Sequence, residues 1–165
     1  MELKLEGKAE PIDPGQLSIK TLGLSDRQDL EDLEELELLT YGRAAQNVWG
    51  LVPMIVHGRV FLARLESEAV GWCIINADWS DPAAAYVWSF AVAQKHHQRG
   101  IGARLLAHVM AEIARAGRRR LEVVISPANA RALHLATRAG FERAAVLPEY
   151  FGPSEDRWLM ARVLA

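Results

Sequence analysis

One cysteine, no apolar run long enough for a membrane span and almost no net charge leave this chain of 165 residues with few routes to covalent or electrostatic anchoring. The lone cysteine, Cys73, excludes an intrachain disulfide and suits a reducing compartment; within Gly71-Trp72-Cys73-Ile74-Ile75 it reads as a buried, inert thiol. Lys and Arg number 19 against 21 Asp and Glu, a formal charge of -2, so bulk electrostatics give no case for a nucleic-acid partner. Repeats and low-complexity tracts are lacking. The opening Met1-Glu2-Leu3-Lys4-Leu5-Glu6 is too interrupted by charge for a signal peptide, which predicts a soluble, cytoplasmic protein without a membrane partner.

Half of the residues are hydrophobic, enough for one sizeable core. Pro11, Pro14 and Gly15 mark residues 1–15 as an irregular arm, and residues 16–165 are expected to form a single domain. Gln16 to Leu22 alternates polar and apolar, as a first strand does. Ser25 or Asp26 then precedes a helical pattern whose Leu30, Leu33, Leu36 and Leu39 offer an apolar stripe, with Asp29, Glu31, Asp32, Glu34, Glu35 and Glu37 expected on solvated faces. The stretch from Tyr41 to Met54 settles into no period. Two apolar runs flank Ser67-Glu68 as a hairpin, and Asp78 to Pro82 supplies a turn before the strand of Ala84 to Ala93.

The chain is organised around the segment next to that strand: Gln98-Arg99-Gly100-Ile101-Gly102-Ala103-Arg104, opening a helical pattern through Leu105, Leu106, Val109, Met110 and Ile113. The first N–H groups of a helix have no intrahelical partner, and the peptide dipoles add positive charge there, so an anion belongs at such a junction. Gly100 and Gly102 permit close approach of a diphosphate, and Arg99 and Arg104 could add charge-assisted bonds. An ordinary tight turn is the competing reading. Downstream, Leu121 to Ser126 reads as a buried parallel strand, and Asn129 to Phe141 as a short helix capped by Asn129 and stopped at Gly140.

Together the two stretches resemble the GNAT superfamily of acetyl-CoA-dependent N-acetyltransferases. His97 to Gly102 falls on its Q/R-x-x-G-x-G/A turn, and Asn129 to Phe141 on its N-x-x-A-x-x-L-Y-x-x-x-G-F; His97 replaces Gln or Arg, and Ala136 replaces Tyr. Tyr150, Phe151, Glu155, Asp156 and Met160 are similar to the C-terminal pattern of ribosomal-protein alanine and protein N-terminal acetyltransferases, with Arg157 in place of Ala. The resemblance implies an α/β fold of the GNAT type: a mixed sheet of about seven strands, with strands 4 and 5 splayed and helices on both faces.

For chemistry the resemblance implies direct transfer of acetyl from acetyl-CoA to a primary amine, on a protein N-terminus or a small molecule, with no metal and no side-chain nucleophile. Cofactor contacts would fall on Phe90, Ala91, Val92 and Ala93 along the splay and on His97, Gln98, Arg99, Gly100, Ile101, Gly102, Ala103, Arg104 and Asn129. A backbone N–H near Val92 would polarise the thioester carbonyl. Tyr41, Trp49 and Met54 either wall the acceptor site or fill core beneath a loop. Glu122 would be the base if Pro127-Ala128 is an insertion; without a gap Val124 takes its place. Tyr150 or Tyr86 would replace the missing proton donor at Ala136. An α-amine, pKa about 7.7–8.0, is easier to neutralise near pH 7 than a lysine at about 10.4, by roughly 3–4 kcal/mol. The alternative is an acyl-CoA-binding sensor without turnover, and a homodimer is left open.

Overall fold

The computed structural model describes residues 12–165, so most of the arm expected at 1–15 lies outside the described residues. In chain order the elements are β1 (Leu17–Thr21), α1 (Arg27–Tyr41), α2 (Val48–His57), β2 (Gly58–Leu65), β3 (Glu68–Ala77), β4 (Ala84–Val92), α3 (Ile101–Arg115), β5 (Arg120–Ile125), α4 (Ala130–Arg138), β6 (Glu142–Leu147) and β7 (Arg157–Val163). They build a seven-stranded mixed sheet in the order β1-β2-β3-β4-β5-β7-β6. Every neighbouring pair is antiparallel except β4 and β5, whose parallel register requires the crossover that α3 provides. The hairpin turn falls at Glu66-Ser67, one residue earlier than expected, with Glu66 at φ 55°.

β2 and β3 are buried on both faces, and their period of two divides the core. Phe61, Ala63, Cys73 and Ile75 meet Leu105, Val109 and Ile113 of α3 on one face. Val60, Leu62, Trp72 and Ile74 meet Leu30, Leu33 and Leu51 of α1 and α2 on the other. Burial pushes the Cys73 thiol well above its usual pKa, as an inert core residue requires.

Two expectations need correction on α1. Leu39 is 76% exposed and Glu37 only 1%. At about 100° per residue, Leu39 lies half a turn away from Leu30, whereas Glu37, seven residues on, returns to its face. The unsettled stretch contains α2, started by Asn47, whose side chain accepts from Trp49 N at 3.1 Å and Gly50 N at 3.3 Å. Gly50 and Pro53 inside it had masked the helical pattern.

Candidate active site

The parallel pairing of β4 with β5 runs only from Ala84 opposite Arg120 to Val87 opposite Val123, yet β4 continues to Val92. A bulge marks the divergence: Ile74 faces Ser89 and Ile75 faces Val87, so Trp88 is an extra residue on β4. Pairing with β3 persists, and Ala93 N–H donates to Val70 O at 2.8 Å. Antiparallel alternation then turns the main-chain groups of Ala91 and Ala93 toward β3 and those of Phe90 and Val92 into the gap. Of the four residues expected along the splay, only Phe90 and Val92 turn their main-chain groups to the opening. The Val92 carbonyl accepts from His97 Nε2 at 2.7 Å, which leaves the Val92 N–H directed at the gap.

His97 is held from its other side by the Arg131 guanidinium at Nδ1, so its partners assign a ring that accepts at Nδ1 and donates at Nε2. It therefore ties the end of β4 to α4. The neighbouring His96 is buried, with Nε2 3.1 Å from Glu68 Oε1 and Nδ1 3.0 Å from an Arg99 guanidinium nitrogen. Lys95 Nζ also lies 2.6 Å from that Glu68 oxygen, and these two partners hold the Glu68 carboxyl below its ordinary pKa. The turn is thus bolted to the start of β3 before α3 begins.

Gly100 occupies the N-cap of α3 at φ 83°, ψ -1°, and Gln98 is also left-handed at φ 63°. The first closing bond of the helix is Arg104 N–H to Gly100 O at 3.2 Å. Among the described residues, the N–H groups of Gln98, Gly100, Ile101, Gly102 and Ala103 donate to no protein acceptor. Gly102 turns toward α4 and β4: a Cβ there would stand 3.4 Å from Leu135, 3.7 Å from Val92 and 3.8 Å from Phe90.

An open cleft of about 1850 Å³ gathers these groups. All thirteen residues expected at the cofactor line it except Arg99 and Arg104, and Asn129 also caps α4 by accepting from Ala132 N at 3.1 Å. Lys95, Arg131 and Arg138 add cationic walls. Of the three residues considered for the acceptor wall, Tyr41 lines the cleft, Trp49 is 85% exposed on α2, and Met54 packs against the core beneath α1 and α2.

Glu122, Tyr86 and Tyr150 form a separate group outside the cleft lining. Tyr86 and Glu122 are direct neighbours across β4 and β5, and burial raises the Tyr86 phenol above its usual pKa, with the Tyr150 charge adding to it. Glu122 Oε1 accepts from Arg120 Nε at 2.7 Å, and Arg120 also reaches Asp81 at 3.0 Å. A proton from an amine would compete there with a guanidinium. Ala136 is buried and offers no hydroxyl.

Sequence reasoning missed one constellation. The Trp72 indole N–H donates to Ser89 Oγ at 3.0 Å; Ser89 donates to Glu37 Oε1 at 3.2 Å; the Gln46 N–H donates to Glu37 Oε2 at 3.0 Å. The Tyr41 ring stands edge-on to Trp72, centroids 6.0 Å apart. Burial raises the Tyr41 phenol above its usual pKa, the nearby Ser89 hydroxyl opposes this, and the Glu37 charge raises it further. The available signal was spacing: Glu37 lies four residues after Leu33, on the apolar stripe.

Residues 28–141 match the model of the acetyltransferase (GNAT) family. The N-alpha-acetyltransferase of Sulfurisphaera tokodaii is 31% identical over 116 residues, 63% of this chain and 68% of that protein. Among solved structures, the ribosomal-protein-S18-alanine N-acetyltransferase of Escherichia coli superposes with a TM-score of 0.76 at 20% identity, covering 90% of this chain and 94% of its own. YncA of Salmonella typhimurium, solved with its cofactor acetyl-CoA, gives 0.73 at 19% identity, with coverage of 91% and 95%.

Proposed function

This chain belongs to the GNAT family and is an acetyl-CoA-dependent acetyltransferase, and from that premise we propose that its acceptor is a primary amine, with the α-amine of a protein N-terminus preferred. The observation that carries the reading is the Val92 N–H aimed into the gap between β4 and β5, in the same cleft as the undonated N–H groups at the start of α3. Those groups fit the two ends of the cosubstrate: main-chain donors and a helix dipole suit a diphosphate, and an apolar gap with unpaired peptide groups suits a chain of amides.

When bound, acetyl-CoA supplies an acyl group activated as a thioester. The chain's own residues then have three tasks. Gln98 and Gly100 to Ala103 hold the diphosphate through main-chain N–H groups, with Lys95, Arg131 and Arg138 adding charge. Phe90 and Val92 align the pantetheine along the open edge of β4. The Val92 N–H donates to the carbonyl oxygen as it gains charge, in a gap that needs no reorganisation to do so.

The acceptor side lies on the face of α1 and α2, whose packing partners are β2 and β3. An α-amine asks least of the site, since roughly 3–4 kcal/mol less is needed to present it neutral than a lysine. Support also comes from the N-alpha-acetyltransferase relative and from the C-terminal residues Tyr150 to Met160. The test is release of CoA with peptides bearing a free N-terminus and no lysine, against peptides with a blocked N-terminus and one lysine. Turnover confined to the first set is expected; turnover confined to the second, or to small amines, would overturn the α-amine assignment.

A further inference from the structure

The cleft does not stop at the turn that takes the diphosphate. Leu135 lies against Gly102, where a Cβ would stand 3.4 Å away, and this contact seats α4 on the first turn of α3. Along α3 the lining continues through Ala103, Ala107 and Met110, a spacing of four and three that keeps to one helical face over about 10 Å. Ala103 and Ala107 are exposed, so the shelf is apolar and shallow. Arg138 and Ala139 of α4 line the same cleft. Arg138 comes three residues after Leu135, on the same face of α4 and about 4.5 Å further along its axis.

The cations of the cleft differ in what they already hold. Lys95 Nζ is 2.6 Å from Glu68, and the Arg131 guanidinium is bonded to His97 Nδ1. Arg138 is exposed and has no partner among the described residues. Nor does it cap its own helix, whose last carbonyls are taken by the main chain: Ala139 N–H donates to Leu135 O at 3.0 Å, Gly140 N–H to Thr137 O at 2.9 Å and Phe141 N–H to Ala136 O at 3.0 Å. Acetyl-CoA likewise has a charged group that the turn does not take, because its ribose carries a phosphate separate from the diphosphate. One spare guanidinium thus stands beside an apolar shelf, and one spare phosphate stands beside a purine.

We infer that Arg138 binds the ribose 3′-phosphate of acetyl-CoA, with the adenosine laid along Ala103, Ala107 and Met110, so that the protein selects its donor by that phosphate. The inference rests on the reading of the cleft as the acetyl-CoA site. A guanidinium presents its donors as a planar fork, which matches two oxygens of a phosphate, and it keeps its charge at every working pH. Alanine methyls and the Met110 thioether give the purine ring apolar contact and do not compete for its hydrogen bonds. Arg138 therefore lends the cleft more than general charge: it distinguishes the complete cosubstrate from a thioester that lacks the 3′-phosphate.

Calorimetric titration tests this with wild type and Arg138→Gln, each against acetyl-CoA and acetyl-3′-dephospho-CoA. Wild type should bind acetyl-CoA about 10-fold more tightly than the dephosphorylated donor, the factor expected of a charge-assisted fork at an open site. Arg138→Gln should bind the two donors alike, because the group that tells them apart is gone. Any charge that Arg138 lends at long range acts on the diphosphate of both donors and cancels from this comparison. Thermal unfolding without ligand checks that the exposed substitution leaves the fold in place. Equal wild-type affinities for the two donors, or a preference that survives in Arg138→Gln, would overturn the assignment while leaving the acetyl-CoA cleft standing. A wild-type protein that binds neither donor would overturn the cleft and this inference together.

Discussion

Substituting Gly102 by Glu should separate stability from cofactor affinity with opposite signs. A Cβ at this position meets Leu135, Val92 and Phe90 at 3.4 to 3.8 Å, ordinary contact distances, so the backbone has no need to move. Gly102 is the second residue of α3. Leaving glycine gains up to about 1 kcal/mol of helix propensity, and an anion in the first turn interacts with the dipole by about 0.3–1 kcal/mol. The fold should therefore hold or tighten. Binding should not, because the carboxylate occupies the place of the diphosphate and faces its charge. One pair of like charges about 5 Å apart at an effective dielectric near 20 costs roughly 3 kcal/mol, and with the lost N–H contacts affinity should fall by more than about 10²-fold. Calorimetric titration of acetyl-CoA, alongside thermal unfolding without ligand, reads both quantities. An affinity within threefold of wild type, in a protein whose unfolding temperature has not dropped, would refute the placement of the diphosphate at this turn.

Other perturbations address the scaffold. Gly100→Ala forces an L-residue to φ 83° and should lower stability by about 1–2 kcal/mol, roughly 2–6 °C in a domain of this size, measured by thermal unfolding. Leu33→Ala, at a fully buried position beneath α1, should cost about 2–5 kcal/mol in denaturant unfolding. For Asp29, burial pushes the carboxyl up, but the hydrogen bonds from Lys20 and Arg64 outweigh it and hold the folded pKa below 3.8. A depressed folded pKa stabilises above the unfolded value and loses that contribution as pH falls through the folded one. The stability gap between wild type and Asp29→Asn should thus be constant above about pH 5 and close below pH 4, and a gap that widens on acidification would contradict it.

How much of this could be read from the chain divides along the range of the interactions involved. The strands, α3 and α4 follow from local pattern: Leu105, Val109 and Ile113 announce the buried face of α3, and Asn129 and Gly140 bracket α4. The seven-stranded sheet followed from resemblance through two motifs rather than from periodicity. Local pattern could not supply pairing at a distance. Nothing near Trp88 in sequence says that it will be extruded as a bulge, because that depends on how Ile74 and Ile75 take up their register with β4. The alternation of Phe90 and Val92 toward the gap depends in turn on the Ala93 to Val70 bond. Composition misled at Glu37, where five acidic neighbours suggested a solvated face and only a strict count of helical angle puts this one inside.

That count bears on what an acidic residue does at a position where a leucine would fit. A buried carboxylate is expensive unless its hydrogen bonds are satisfied, and satisfying them here takes a serine from β4, a main-chain N–H from the segment before α2 and, through the serine, an indole from β3. Three elements are tied together at the point where β4 turns away from β5. Leucine at 37 would leave Ser89 with a proton to place and the Gln46 N–H without its acceptor, so the substitution should loosen the α1 to α2 connection as well as the β4 edge. Hydrogen exchange distinguishes this from simple core packing: in Glu37→Leu, faster exchange should concentrate at Gln46 and its neighbours while β2 stays protected. Uniform protection across the sheet and the connection, equal to wild type, would mean that the carboxylate holds neither element in place.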